Sequence, residues 1–238
     1  MPHLSRTIAD GSVAVYVWFE AMHTRVDILL KSSCHSESAL LEVTEGMKRI
    51  IAGLEKVGNR FDPSSELAHL NRLPAGEEVE ISASLYDMLS LCLYYNVRTK
   101  GLFDISVSSP GFEPGMLSSI RLGEGGRFCR SREDVVLDLS GFIKGYALDQ
   151  LRIYLVECGL ENALVNLGNS SIMAMGDVPG PVRNGCLTTS GNSDPSRRHI
   201  RNPLSGEYIG GARTAQVFTP GGAEGEVEAT VKFITETI

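Results

Sequence analysis

Within residues 137–149, LDLSGFIKGYALD, an extended chain has to turn into a helix. An apolar run of β character ends at Leu139, glycines follow at Gly141 and Gly145, and helical spacing begins. Glycine accepts positive φ and lets another backbone come close. A helix N-terminus presents free N–H groups that suit an anion, and Lys144 adds a positive charge there. The plainer reading is a strand-to-helix turn whose glycines serve geometry alone, with Lys144 in solvent. The segment is not a P-loop, because the G-x-x-x-x-G-K-[ST] spacing is absent.

The remaining pattern alternates helices with short strands. Residues 12–19 and 24–31 read as two strands joined by a tight connection, after a polar and loose segment at 1–10. Residues 36–56 carry Leu40, Leu41, Val43, Met47, Ile50, Ile51 and Leu54 at helical spacing, with Ser36 as N-cap. A short helix is expected at 64–71 and a short strand at 79–81. A long helix begins at Ser82 or Ser84 and runs to about Arg98, before Gly101. Residues 103–107 and 135–139 read as extended. The Gly- and Pro-rich stretch 110–126 reads as loop with one strand at 118–122. A helix over 145–158, hairpin strands at 163–165 and 171–175, and strands at 185–189, 198–200 and 208–218 follow. A helix at 224–235 completes the series. Helices interspersed with mostly hairpin-connected strands predict an α+β fold, with helices packed on a mostly antiparallel sheet.

Composition narrows the function classes. The 238 residues carry a formal charge of -7. A chain that binds nucleic acid in bulk would present an electropositive face, so that class is set aside. An anionic ligand would need a local site built from backbone N–H groups, one or two basic side chains, or a metal. The five cysteines, Cys34, Cys92, Cys129, Cys158 and Cys186, include no C-x-x-C pair, which argues against a zinc or redox motif. No apolar run reaches the roughly 18 residues of a membrane span. Residues 12–19 are β-branched and aromatic, as a strand is and a signal-peptide core is not. These cues lead us to expect a cytoplasmic protein and a single domain over 1–238.

Three further constellations carry chemistry. His199 stands among Arg197, Arg198 and Arg201, shortly after Thr188, Thr189, Ser190 and Gly191. It reads either as a group acting on a phosphoryl centre or as an exposed histidine at a strand end. Glu226 and Thr230 fall four residues apart on an expected helix, hence on one face. Both are oxygen donors of the kind Mg²⁺ accepts, or else Glu224, Glu226 and Glu228 form a solvated acidic helix start. Residues 61–71, FDPSSELAHLN, read by themselves as a serine-capped helix with Leu67 and Leu70 in the core.

Taken in order, these segments resemble the FAD:protein FMN transferases, the ApbE-like family once described as thiamine-biosynthesis lipoproteins. The resemblance runs from Met22 to Lys232, leaving residues 1–21 as an N-terminal extension. AMHTRVDILL resembles the family's opening Met-Gly-Thr strand. FDPSSELAHLN resembles its Tyr-Asp-Pro-x-Ser-Glu-Leu-x-x-Leu-Asn segment, and LFDISV its Phe-Asp-x-Thr/Ser-Val run. LDLSGFIKGYALD is similar to Asp-Leu-Gly-Gly-x-x-Lys-Gly-Tyr-Ala-x-Asp, the most specific of the set. VNLGNSSIMAMG, TTSG and HIRNPLSG follow, and EVEAT stands where the family has Asp-x-x-x-Thr.

The resemblance implies an ApbE-like fold with FAD in a cleft. It implies a divalent metal, Mg²⁺, on the Gly141 carbonyl, Glu226 and Thr230. Met22, Phe61, Leu102, Phe103, Asp104, Asp138, Lys144 and Ile200 would lie against the flavin nucleotide, and His199 would be catalytic. The implied reaction moves FMN from FAD to a Thr or Ser of an acceptor protein and releases AMP. His23 for Gly, Phe61 for Tyr, Glu226 for Asp and Asn202 for Asp depart from the family pattern, and the lipid-attachment Cys is absent. These departures support the alternative of a flavin-binding homologue without catalysis; an FAD pyrophosphatase is a further alternative.

Overall fold

The computed structural model describes residues 1–192 and 199–236. In chain order the elements are β1 (His3–Thr7), β2 (Val13–Ala21), β3 (Thr24–Ser32), α1 (Glu37–Gly58), α2 (Glu66–Leu70), β4 (Glu78–Glu80) and α3 (Ala83–Arg98). A 3₁₀ turn (Met116–Ser119) precedes β5 (Ile120–Gly123) and β6 (Arg127–Arg130). Then come α4 (Ile143–Glu157), β7 (Asn162–Leu167), β8 (Ser171–Met175), β9 (Gly185–Asn192), β10 (Arg213–Thr219) and α5 (Gly222–Thr235). The seven-stranded sheet has the order β1-β2-β3-β7-β8-β9-β10, and a second sheet has the order β4-β6-β5. The pairs from β1 through β9 are all antiparallel, as are those of the small sheet. The α+β class expected from the sequence is the class observed.

Two compact units divide the chain. The first is Met1–Gly53, Lys144–Thr189 and Gln216–Ala229. Its sheet buries every second residue: Val15 and Val17 on β2, Val26, Ile28 and Leu30 on β3, Ala163, Val165 and Leu167 on β7. The register places Val17 beside Ile28 and Ile28 beside Val165, so one face is continuously apolar. A side chain at Gly46 on α1 would overlap the Tyr154 ring of α4, which fixes how closely those helices pass.

The second unit is Leu54–Ile143, Ser190–Ala215 and Thr230–Ile238. Ser65 and Ser82 cap α2 and α3 by accepting from the amides of Ala68 and Leu85. Leu67, Leu85, Met88, Leu89, Phe128 and Phe142 are among its fully buried side chains. No described helix is long and apolar enough to cross a membrane.

Several expected elements differ. Residues 1–10 are not loose throughout, because β1 forms a hairpin with β2 although all its side chains are exposed. Residues 103–107 form turns, not a strand. The expected strand 208–218 is confined to Arg213–Thr219, with Tyr208 in an isolated bridge to Arg201. Arg198 lies outside the described residues, and His199 and Ile200 are not in a strand. β6 (Arg127–Arg130) had no counterpart among the expected strands.

Residues 135–139, expected as a strand, are not in one. Their backbone partners are largely side chains. Asn71 donates through Nδ2 to the Leu137 carbonyl at 2.9 Å and accepts the Leu137 N–H at 2.8 Å. Ser109 accepts the Val136 N–H at 2.8 Å, and the Asp138 N–H goes to the Ile105 carbonyl at 2.8 Å. One asparagine thus does the work of a strand. Asn71→Ala leaves two backbone groups beside the buried Leu137 without partners, and should cost about 2–4 kcal/mol in urea unfolding. A loss below about 0.5 kcal/mol would show that solvent replaces Asn71 freely.

Candidate functional site

In the first unit the chemistry gathers around the start of α4. Gly145 has no Cβ, and one would overlap both the Gly222 carbonyl and Cγ of Glu226. α4 and α5 therefore pass in close contact. Asp149, one turn further along α4, accepts the N–H groups of Gly222 at 2.6 Å and Ala223 at 2.8 Å, capping α5. This close approach buries Glu226 to 5% exposure, while Glu228 is exposed. Ser171 donates its hydroxyl to Glu226 Oε1, and Lys144 donates its ammonium to Ser170. Burial pushes the Glu226 carboxyl up to about 7, against the opposing pull of the Lys144 charge, the Ser171 hydroxyl and the Gly145 N–H.

Met22 and His23 lie at the turn of the β2–β3 hairpin, between the paired residues Ala21 and Thr24. Both have positive φ, 50° and 55°, as a two-residue hairpin turn requires. His23 occupies a position that glycine would fill without strain. Thr24 lies against Gly168, which begins the loop leading to Ser170 and Ser171.

In the second unit Asp138 is the hub. It pairs with Arg60 Nε at 2.8 Å, accepts the Ser108 hydroxyl at 3.0 Å, and accepts the Ser140 N–H at 2.9 Å. The Arg60 guanidinium lies 4.2 Å from the Phe61 ring centroid, and that ring is 64% exposed. Asp104 is buried, and burial raises its carboxyl while Ser106 holds the charged form through its N–H and hydroxyl. Phe103 is buried with its ring 6.0 Å from Phe142. Leu102 and Ile200 pack on a cluster of Ile209, Ala215, Phe233 and Ile234. Thr230 and Ser190 share a hydroxyl contact of 3.2 Å.

His199 is exposed, and Gly141 is exposed in the loop before α4. Of the arginines beside His199, Arg197 and Arg198 lie outside the described residues. Arg201 is engaged structurally: it donates to the carbonyls of Gly206 and Val107, and stacks near Phe112 and Tyr208. Lys144, Glu226 and the Met22 turn belong to one unit, with Glu226 set beside Lys144. Phe61, Leu102, Phe103, Asp104, Asp138, Gly141, His199, Ile200 and Thr230 belong to the other. Arg60, Ser108, Ser170, Ser171 and Asp149 escaped the sequence reading. Ser170, Ser171 and Asp149 lay inside segments already singled out, but nothing in their spacing revealed their partners.

A metal fits the donor chemistry. Among the described residues no cluster of three His, Cys, Asp or Glu side chains could hold one alone. What the first unit presents is one buried carboxylate beside the Ser171 hydroxyl, oxygen chemistry of the kind a hard cation accepts. The raised Glu226 carboxyl has a thermodynamic consequence. Its folded-state affinity for a proton exceeds the unfolded one, so its contribution to stability is full below about pH 4.5 and is lost as pH rises through about 7. Between about pH 5 and pH 8 in EDTA, Glu226→Gln should therefore gain roughly 2–3 kcal/mol relative to wild type. Parallel pH profiles for the two proteins would contradict this.

A family model described as the ApbE family matches residues 22–110 and 114–237. The chain belongs to the ApbE family. It is similar to the flavin transferase ApbE from Vibrio cholerae at 19% identity and a TM-score of 0.78, over 92% of this chain and 86% of that one. Pseudomonas stutzeri flavinyl transferase ApbE, in its apo form, matches at 16% identity and a TM-score of 0.78, over 96% and 83%. The ApbE protein from Thermotoga maritima matches at 21% identity and a TM-score of 0.76, over 92% and 86%. At these identities the likeness is one of fold. No curated protein matches the chain in sequence.

Proposed function

We propose that the protein is a metal-dependent flavin transferase that moves FMN from FAD to a Thr or Ser hydroxyl of an acceptor protein and releases AMP. The observation that carries this reading is the buried Glu226 carboxyl beside Lys144, in a chain matched by the family over nearly its whole length. A buried carboxyl is costly, and perturbed carboxyls of this kind concentrate at functional sites. The names of the Vibrio and Pseudomonas structures support the activity, and the family resemblance supports FAD as donor.

In this reading the acceptor hydroxyl oxygen attacks the phosphorus of the FMN half. The new P–O bond forms as the bond to the bridging pyrophosphate oxygen breaks, and AMP leaves with that oxygen. His199 takes the hydroxyl proton, and Lys144 sets a positive charge against the phosphates. A divalent cation, for which the family resemblance implies the Gly141 carbonyl, Glu226 and Thr230 as ligands, would neutralise the pyrophosphate and the departing charge. Asp138 and Asp104 orient the nucleotide, and the exposed Phe61 ring offers a face for stacking. The exposure of His199 also favours a second reading, in which water replaces the acceptor hydroxyl and FAD is hydrolysed to FMN and AMP.

His199→Ala should slow AMP release by about 10²–10⁴ while FAD affinity stays within a few fold. Chromatography of AMP from FAD, Mg²⁺ and a Thr-containing acceptor checks this, with the melting temperature as a control. Unaltered release in the folded variant removes the histidine from the chemistry. FMN that stays free, with AMP formed at the same rate without acceptor, selects the hydrolytic reading.

Glu226→Ala should remove the Mg²⁺-dependent part of FAD affinity, whereas Glu224→Ala and Glu228→Ala leave it unchanged. Only Glu226 of the three is buried, and it alone lies one helical turn from Thr230. Fluorescence titration of FAD in Mg²⁺ and in EDTA reads the difference. Equal behaviour of the three variants would return the segment to a solvated acidic helix start.

A further inference from the structure

We propose that Ser171 is a positioning residue that presents Glu226 to a divalent cation, an inference resting on the metal-dependent reading above. Ser171 is fully buried at the first position of β8, and its hydroxyl donates to Glu226 Oε1. That bond fixes one carboxylate oxygen and with it the plane of the group. A hydroxyl does this without adding charge, whereas a second cationic side chain would repel the metal. Adjacent Ser170 accepts from Lys144, so two consecutive serines divide between them the ammonium and the carboxylate.

The backbone holds this pair in place. Gly168 and Asn169 turn the chain with φ of 66° and 60°, and the Thr189 N–H is bonded to the Ser170 carbonyl at 2.8 Å. Glu226 is also seated against α4, where its Cγ occupies the space left by the absent side chain of Gly145. The longer arm of glutamate, where the family pattern has aspartate, is thus seated between a glycine and a serine hydroxyl.

Burial of a hydroxyl does not by itself make this bond. Thr188 pairs with Ser171 across β8 and β9 and is equally buried, yet its Oγ1 has no hydrogen-bond partner among the described residues. Thr188→Val therefore provides a matched control, removing a neighbouring buried hydroxyl that is not hydrogen-bonded to Glu226.

The test is FAD affinity by flavin fluorescence, in Mg²⁺ and in EDTA, for wild type, Ser171→Ala and Thr188→Val, with melting temperature in EDTA reporting the fold. Loss of a group that orients a metal ligand costs about 10–100-fold in metal affinity. Ser171→Ala should therefore lose at least about tenfold of the Mg²⁺-dependent gain while its affinity in EDTA is unchanged, and Thr188→Val should keep the gain. A Ser171→Ala protein that keeps the whole gain overturns the proposal. So does one that loses affinity equally in Mg²⁺ and EDTA, since that marks a structural role only. A wild type that gains nothing from Mg²⁺ overturns the metal reading itself, and the proposal with it.

Discussion

Everything distinctive in the first unit depends on how closely α4 and α5 approach at Gly145. The space a side chain would fill there is taken by the Gly222 carbonyl and the Glu226 side chain. Asp149 then caps the first turn of α5 with both carboxylate oxygens. Burial raises the Asp149 carboxyl, and the two amides it accepts oppose that shift. A cap of this kind contributes about 1 kcal/mol and sets where the helix begins. Once α5 begins at Gly222, Glu226 faces Gly145 and Ser171, and Glu228 faces solvent. The segment 137–149 thus contributes more than a turn, because three of its residues, Lys144, Gly145 and Asp149, determine what surrounds one carboxylate.

That carboxylate is electrostatically unfinished. It has a hydroxyl, a backbone N–H and the field of one lysine, and these do not offset its burial. A stable core would replace it with an apolar residue at little cost. A cation that completed its surroundings when the nucleotide binds would offset that burial. In the second unit Asp138 is better served, with Arg60, Ser108 and Ser140 around it.

Much of this was legible in the sequence. Helical spacing located α1, the serine start and Gly101 bounded α3, and β-branched and aromatic content located β2. The motif at 137–149 placed α4 to within two residues, and the Glu226–Thr230 spacing singled out the one buried acidic residue of its helix. What stayed hidden depended on partners distant in sequence. β1 exposes every side chain, so no alternation marked it. Residues 135–139 have the composition of a strand but are held by Asn71 and Ser109, which no local pattern reveals. Arg201 stood out only as a basic neighbour of His199, and two carbonyls and two rings occupy it. Ser171 is one hydroxyl among many until the fold places Glu226 against it.

The central claim is that Glu226 is a metal ligand in a nucleotide site. The most direct measurement is anomalous diffraction from crystals soaked with Mn²⁺ and FAD. The account predicts one strong manganese peak about 2.0–2.3 Å from a Glu226 carboxylate oxygen, with the FAD pyrophosphate also in its shell. Ordered FAD with no manganese at Glu226, or manganese bound only at surface carboxylates, would contradict it.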